Sequence, residues 1–151
     1  MKNDKSIKNA NSILSKSNDD YLMIPHCNSQ MPQHELIIHL SEEVAVEQIL
    51  ADNHEDFSAN LDQIWFYGSS DYPPKGNKWK KIGEILPKYG EHFHLAEIDP
   101  TYNNDKSMIR YLKVIMKSKD QNELYCTLTH VQVFGRSMHL SLVESFKDVN
   151  V

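Results

Sequence analysis

The chain has 151 residues, of which 40% are hydrophobic and 25% are charged, and its formal net charge is −5. This length suits one domain with its own core. The acidic balance argues against nucleic acid as a partner, because phosphate contacts need a basic face. No stretch approaches the roughly 20 apolar residues that cross a bilayer, and the first residues show no signal peptide. A membrane is therefore expected to be reached only through segments outside this chain.

The first segments in chain order are short and polar. Residues 1–7 are rich in Asn and Lys, which predicts a disordered tail. Residues 10–14 are expected to form a short helical turn. Pro25 and Pro32 then bracket a loop that contains Cys27.

The middle of the chain consists of strand patterns separated by turn signals. In the first of them, Leu36 and Ile38 fall on one face, and Ile37 and His39 fall on the other. This is the two-residue period of a strand. A polar loop is expected over residues 99–105. About seven such strands favour an all-β sandwich or barrel. The strand candidates are 35–40, 44–50, 61–67, 79–86, 91–98, 108–116 and 124–134.

The last strand candidate changes its parity. Apolar residues alternate up to Leu128, whereas Val131 and Val133 fall on the opposite parity. A bulge or a break is therefore predicted between Leu128 and Val131.

The C-terminal segment, residues 138–151, has a different period from the domain before it, which spans residues 8–137. Its apolar residues recur every three or four positions, which predicts a short amphipathic helix. Such a helix could pack on the sandwich or offer its apolar stripe to a partner. The stripe consists of Met138, Leu142, Phe146 and Val149.

The sequence contains no Gly-rich phosphate loop and no G-x-S-x-G elbow, so no enzymatic chemistry is predicted. On a strand, His92 and His94 would share one face and could bind a metal if a third ligand came from elsewhere. The favoured interpretation is a polar strand face opposite Phe93 and Leu95. Because no other ligand spacing converges, neither a metal nor a cofactor is predicted.

Trp79 stands beside the only cluster of basic residues. Lysines around a tryptophan could grip phosphates, but they are more typical of a solvated strand edge. Aromatic residues at strand positions could also serve as sugar platforms, although they more often pack against their neighbours. The basic cluster consists of Lys75, Lys78, Lys80 and Lys81, and the aromatic candidates are Trp65, Tyr67, Tyr72 and Trp79.

Cys27 and Cys126 are the only cysteines. Two thiols are too few for a disulfide scaffold or a thiolate zinc site. Composition alone leaves two free buried thiols or one long-range bridge.

Several segments, in order over most of the chain, resemble the SUN-like domain family. Ile109–Val114 resembles its A-R-Y-L-K-V motif, and Asn122–Leu128 resembles N-E-x-Y-C-P-L. Single motifs of this kind are weak, but their ordered sum is specific for the family, and in particular for the osteopotentia (mid-SUN) type of the endoplasmic reticulum. The matching segments are 11–14, 20–27, 36–41, 66–73, 79–83, 109–114, 122–128 and 131–138.

The resemblance implies a galactose-binding-like (discoidin-like) jelly-roll β-sandwich, followed here by the short C-terminal helix. It implies a disulfide between Cys27 and Cys126, since both lie at the family's cysteine positions. It also implies a non-enzymatic domain in the endoplasmic reticulum lumen or perinuclear space, as part of a membrane-anchored protein that binds folding or membrane proteins.

The resemblance also identifies candidate partner-binding residues. In the nuclear-envelope members, tyrosines around the second cysteine hold the terminal carboxylate of a KASH peptide. Tyr125 matches one of them, and the second falls on Leu128 or Thr129, while Trp79 is a further candidate contact. KASH-type bridging is one alternative function, although the short polar stretch before Cys27 leaves no room for the lid that grips the peptide. A carbohydrate or lipid-head-group module, with a site on end loops near Trp79 or His54, is the other.

Overall fold

Ten β-strands form two sheets in the part of the chain that the structure describes. The structure is a computed structural model, and it describes residues 2–3, 7–8, 10–14, 21–25, 33–53, 61–88, 91–118 and 125–137. Two 3₁₀ helices, Ala10–Leu14 and Lys75–Asn77, and one α-helix, α1 (Pro100–Asp105), lie between strands. The strands are β1 (Lys2–Asn3), β2 (Leu22–Pro25), β3 (Gln33–Asp52), β4 (Leu61–Ser69), β5 (Lys80–Ile85), β6 (Phe93–Leu95), β7 (Glu97–Ile98), β8 (Met108–Ser118), β9 (Tyr125–Leu128) and β10 (His130–Ser137).

The larger sheet has the order β1-β3-β8-β4-β5-β7, and β10 and β6 also pair with β3. The smaller sheet consists of β2 and β9. All the pairings are antiparallel. This arrangement confirms the predicted all-β class and its sandwich-like packing of sheets. Within the described residues, no helix is long and apolar enough to cross a membrane.

β3 is a 20-residue strand whose two halves have different main partners. It pairs with β8 from Gln33 to His39 and again at Val44 and Ala45, and it pairs with β10 from Val44 to Asp52. The register against β8 shifts between His39 and Val44, where extra residues bulge out of the ladder. The two predicted strands 35–40 and 44–50 are therefore one bent strand.

The core lies under one face of the large sheet. Leu36 on β3, Val114 on β8 and Phe66 on β4 face each other in the pairing register, and all three are fully buried. Trp65 and Tyr67 lie on the opposite, half-buried face, as the alternation predicts. The predicted parity of Leu36 and Ile38 on β3 is thus confirmed, and β4 and β8 show the same alternation of buried and half-buried residues.

Two local predictions were wrong. Residues 1–7 were expected to be disordered, but Lys2–Asn3 pairs with β3 as β1, and Ile7 is buried in the core. The loop expected over 99–105 contains helix α1. The Asp99 side chain caps this helix by accepting a hydrogen bond from the Thr101 amide at 3.0 Å, and Pro100 occupies its first turn. An Asp followed by Pro is a typical signal for the start of a helix, so Asp99 and Pro100 already indicated one here.

Strand β6 also differs from the prediction in its orientation. Phe93 and Leu95 were expected to face the core, with the histidines on the polar side. Instead Phe93 and Leu95 are 60% and 64% exposed, while the side chain of His94 is only 9% exposed. The register on β3 explains the inversion, because His94 pairs with the fully buried Ala51 and so shares its inward face.

Gly135 is required by the close approach of β10 and β3. A Cβ atom there would lie 2.2 Å from the Ala45 carbonyl oxygen, next to the register shift after Phe134. Because a backbone atom cannot move aside without breaking the ladder, Gly135→Ala should lower the free energy of unfolding by about 1–3 kcal/mol. Urea denaturation measures this loss. Gln132→Ala, at an exposed position of the same strand, is the control and should change stability by less than about 0.5 kcal/mol.

Candidate binding site

The two-stranded ribbon of β2 and β9 carries Cys126, one member of the predicted cysteine pair. Ile24 pairs with Cys126, and Pro25 pairs with Tyr125. Cys126 is fully buried. Cys27 lies outside the described residues, three positions beyond Ile24 in the sequence. The Cys27–Cys126 bond therefore stays a prediction.

A cluster of polar side chains lies where β9 gives way to β10. His130 Nδ1 is 3.0 Å from the Asp52 carboxylate, and both side chains are buried. The Thr129 amide donates to the Asp52 carbonyl oxygen at 2.9 Å, and the Thr127 hydroxyl donates to Asn53 Oδ1 at 3.1 Å. These bonds join the end of β3 to the turn between β9 and β10. We call these residues the junction cluster: Asp52, Asn53, Thr127, Thr129 and His130.

The turn at Thr129 confirms the predicted change of parity. β9 ends at Leu128 and pairs with β2, whereas β10 begins at His130 and pairs with β3. The backbone therefore leaves one sheet and enters the other at Thr129, where the apolar pattern of the sequence changes phase. The break lies within the interval from Leu128 to Val131, as expected.

His92 ties the start of β6 to the junction cluster. The Asn53 amide donates to the His92 carbonyl oxygen at 2.9 Å, and His92 Nδ1 donates to the Asn53 carbonyl oxygen at 2.9 Å. These two bonds hold the start of β6 against the end of β3 at one end of the sandwich. This cluster could not be predicted from the sequence, because each of its bonds joins residues far apart in the chain.

The predicted partner-binding residues fall into two separate places. Tyr125, Leu128 and Thr129 come together on β9 and the turn after it, and the side chains of Leu128 and Thr129 are buried. Trp79 instead directly precedes β5 of the large sheet, where it is half-exposed. Their roles in partner binding stay predictions. In this structure, the buried side chains of Leu128 and Thr129 would first have to be uncovered.

Trp79 belongs to a row of aromatic rings across the outer face of the large sheet. His39 stacks on Tyr111 with ring centroids 4.7 Å apart, and Tyr72 lies 5.6 Å from Tyr111 and 6.3 Å from Trp79. The ammonium of Lys113 lies 5.4 Å from the centroid of Trp79. The rings contact one another and Lys113 across neighbouring strands. This arrangement favours packing between strands over a sugar-binding platform.

The lysines next to Trp79 are partly neutralised by acidic neighbours. Lys80 contacts the carboxylate of Asp105, and Lys81 lies 3.8 Å from Glu84. The hydrogen bond and positive charge of Lys80 lower the pKa of Asp105 below its ordinary value. A solvated strand edge with paired charges agrees with this arrangement better than a phosphate-binding patch does.

His94 points inward, where burial governs its protonation. Desolvation lowers the pKa of His94 below its ordinary value, and the nearby Glu91 carboxylate opposes the shift in part. Glu91 lies 3.9 Å from His94 Nδ1. Within the described ranges, no group of three or more His, Cys, Asp and Glu residues is arranged to hold a metal ion. His92 contacts the Asn53 carbonyl oxygen, and His94 contacts Glu91.

The buried His94 should make stability fall in mild acid. The unfolded chain takes up a proton near the ordinary histidine pKa, whereas the native imidazole resists protonation, so stability is present above that pKa and is lost as pH falls. Between about pH 8 and about pH 5, the wild-type chain should lose more stability than His94→Gln. Urea denaturation at several pH values measures the difference. A wild-type pH profile identical to that of the variant would show that His94 does not contribute.

Two comparisons with known sequences identify the family. The Sad1 / UNC-like C-terminal family matches residues 3–137. SUN domain-containing protein 4 of Arabidopsis thaliana is 30% identical over 157 residues, which cover 100% of this chain and 24% of the plant protein. The SUN domain-containing ossification factor of Homo sapiens is 28% identical over 144 residues, covering 94% of this chain and 11% of the human protein. The chain thus spans a quarter or less of these two relatives.

A comparison with solved structures identifies the fold. The third family 32 carbohydrate-binding module of a family 31 glycoside hydrolase from Clostridium perfringens superposes with a TM-score of 0.66. The match covers 87% of each chain at 10% identity, so it establishes the fold alone. The expected galactose-binding-like, discoidin-like sandwich is confirmed.

Proposed function

The chain belongs to the Sad1/UNC-like (SUN-domain) family, and from this premise we propose that it is a protein-interaction domain of the endoplasmic reticulum lumen or perinuclear space. Family and fold together support a non-catalytic binding domain. As part of a longer membrane-anchored protein, it would bind folding proteins or membrane proteins. The observation that carries the proposal is the family match over residues 3–137, which includes both cysteines.

The proposal includes a disulfide between Cys27 and Cys126. Such a bond requires an oxidising compartment. The pairing of Ile24 with Cys126 supports this bond, since Cys27 follows Ile24 by three residues. The described residues contain no free cysteine, and Cys126 is fully buried. A disulfide persists in the lumen and is reduced in the cytosol. The bond would fasten β9, and with it the junction cluster, to the segment that follows β2.

The proposal is tested in cells on the full-length protein that contains this chain. Thiol alkylation before and after reduction reports whether Cys27 and Cys126 are oxidised. Affinity capture after mild crosslinking then reports the partners. Oxidised cysteines together with captured lumenal or membrane proteins are the expected result. Reduced cysteines in a cytosolic protein would overturn the assignment.

The captured set separates two forms of the proposal. Many substoichiometric folding or membrane clients would support a role in protecting newly folded proteins. One stoichiometric membrane partner with a lumenal tail would indicate a bridging role of the KASH type instead. As a control, the same capture with the sandwich removed should lose the partners, because we expect them to bind the domain itself.

A further inference from the structure

A cleft lies at the edge of the core, beside the bulge of β3 and the last residues of β10. Its volume is about 450 Å³. Three of its lining residues are apolar, only partly buried and packed against the core, so the cleft has an apolar floor. We call it the end cleft, and its lining residues are Leu40, Ser41, Glu42, Val44, Val133, Gly135 and Ser137.

Hydrogen bonds hold the backbone on both sides of the end cleft. On one side, Arg110 fixes the bulge of β3, because its Nε donates to the Leu40 carbonyl oxygen at 2.9 Å. On the other side, Ser137 pairs with Val44 in the ladder between β10 and β3. The apolar floor therefore stays partly exposed in the described part of the chain, and a further apolar segment that covered it would stabilise the protein.

The pairing register directs the chain from β10 toward this cleft. β10 runs antiparallel to β3, from His130 opposite Asp52 to Ser137 opposite Val44. The residues of β3 that come next in this direction are 43 to 40, and three of them line the cleft. Ser137 is itself a lining residue, so the segment that follows begins about 3.8 Å from a residue of the cleft by covalent geometry.

The segment after Ser137 has the side-chain pattern that an apolar floor requires. On a helix, with about 100° per residue, Met138, Leu142, Phe146 and Val149 fall within about 80° of one another. A cavity of about 150 Å³ can hold a benzene ring. The end cleft, at about 450 Å³, therefore has room for side chains of the size of Leu142 and Phe146.

We propose that residues 138–149 form an amphipathic helix that folds back over the end cleft and covers it with the side formed by Met138, Leu142 and Phe146. The covalent link favours this occupant over a separate partner, because a segment tethered beside the cleft is present at an effective concentration on the order of millimolar. A partner helix would then reach this end of the core only by displacing the chain's own segment. The inference does not depend on the proposed interaction function.

Hydrogen exchange of the whole chain measures whether the segment covers the cleft. Leu142→Asp places a charge on the apolar side of the helix, and it should increase amide exchange in residues 40–44 by at least about tenfold. Leu140→Asp is the matched control, because it makes the same change about 160° away from the centre of the stripe. The control should leave this exchange unchanged. Circular dichroism and thermal melting show whether both variants are folded.

Photocrosslinking identifies what occupies the cleft without relying on a destabilising change. The photoreactive p-benzoylphenylalanine in place of Phe146 should crosslink within the same chain to residues 40–44 or 133–137, and the same group in place of Leu140 should not. Mass spectrometry of the digested protein maps the linked residues. Four results would overturn the inference: crosslinks only between two chains, crosslinks only to other parts of the domain, no crosslink from position 146, or equal exchange in the two aspartate variants.

Discussion

Replacing Cys27, Cys126 or both by alanine is expected to lower the free energy of unfolding by nearly the same amount, about 2–5 kcal/mol. The three variants should be alike because each of them would remove the same proposed disulfide, which would close a loop of about 100 residues in the unfolded chain. Most of the loss in the free energy of unfolding should therefore come from the missing bond, and little of it from either cysteine side chain. Urea denaturation of the three variants and the wild type under oxidising conditions measures these values.

A reducing agent provides the control for this experiment. With dithiothreitol, the wild type should lose stability to the level of the variants, whereas the variants should not change. Additive losses in the double variant, with no effect of the reductant, would mean that the two thiols are independent. In that case the loss for Cys126→Ala would report only the small cavity at a fully buried position.

Tyr102→Phe is expected to cost about 1–3 kcal/mol of stability, although it removes only a hydroxyl group. Tyr102 is buried, and its hydroxyl accepts a hydrogen bond from the Val46 amide at 2.9 Å and donates one to the Ser107 carbonyl oxygen at 2.9 Å. The hydroxyl thus fastens α1 and the start of β8 to the middle of β3. The phenylalanine variant leaves the Val46 amide without this acceptor. Thermal and urea unfolding check the loss, and Tyr67→Phe, on the half-buried outer face, is the matched control with little expected effect.

The same residue predicts a difference at alkaline pH. Burial raises the pKa of Tyr102 above its ordinary value of 10.0, and the amide of Val46 opposes this in part. The unfolded chain ionises first, so the stability that the neutral hydroxyl contributes is present below pH 10 and is lost as the pH rises through the folded-state pKa. Tyr102→Phe should lack this component of the alkaline loss. Equal alkaline profiles for wild type and variant would show that the phenol ionises freely in the native state.

The strands that carry a two-residue period could be predicted because burial alone determines them. β4 and β8 have long apolar alternations, and one face of each packs on the core, as with Phe66 and Val114. The break near Thr129 was also visible, since a chain that changes sheets must change the parity of its buried residues. The family resemblance was carried by short motifs whose order along the chain could be checked without a structure, and the family match over 3–137 agrees with it.

Short elements could not be predicted in the same way. β1 contains two residues, Lys2 and Asn3, and exists because β3 offers Leu36 and Ile37 as pairing partners. β6 has three residues with apolar and polar positions that fit either orientation, and its register against Ala51 decided which side faces inward. The helix predicted over 138–151 lies outside the described residues, so it stays a prediction.

The sequence by itself determined the class of the protein: an acidic single domain of alternating strands, with two cysteines and an ordered set of SUN-like motifs. These features follow from the composition and from side-chain patterns along one strand at a time. The tertiary structure alone decided the contacts between distant segments, namely the junction cluster around Asp52 and His130, the tie from Tyr102 to β3, and the outward turn of Phe93 and Leu95. The physical reason is that each of them depends on which strands become neighbours and in which register, and sequence periodicity does not specify either for short segments.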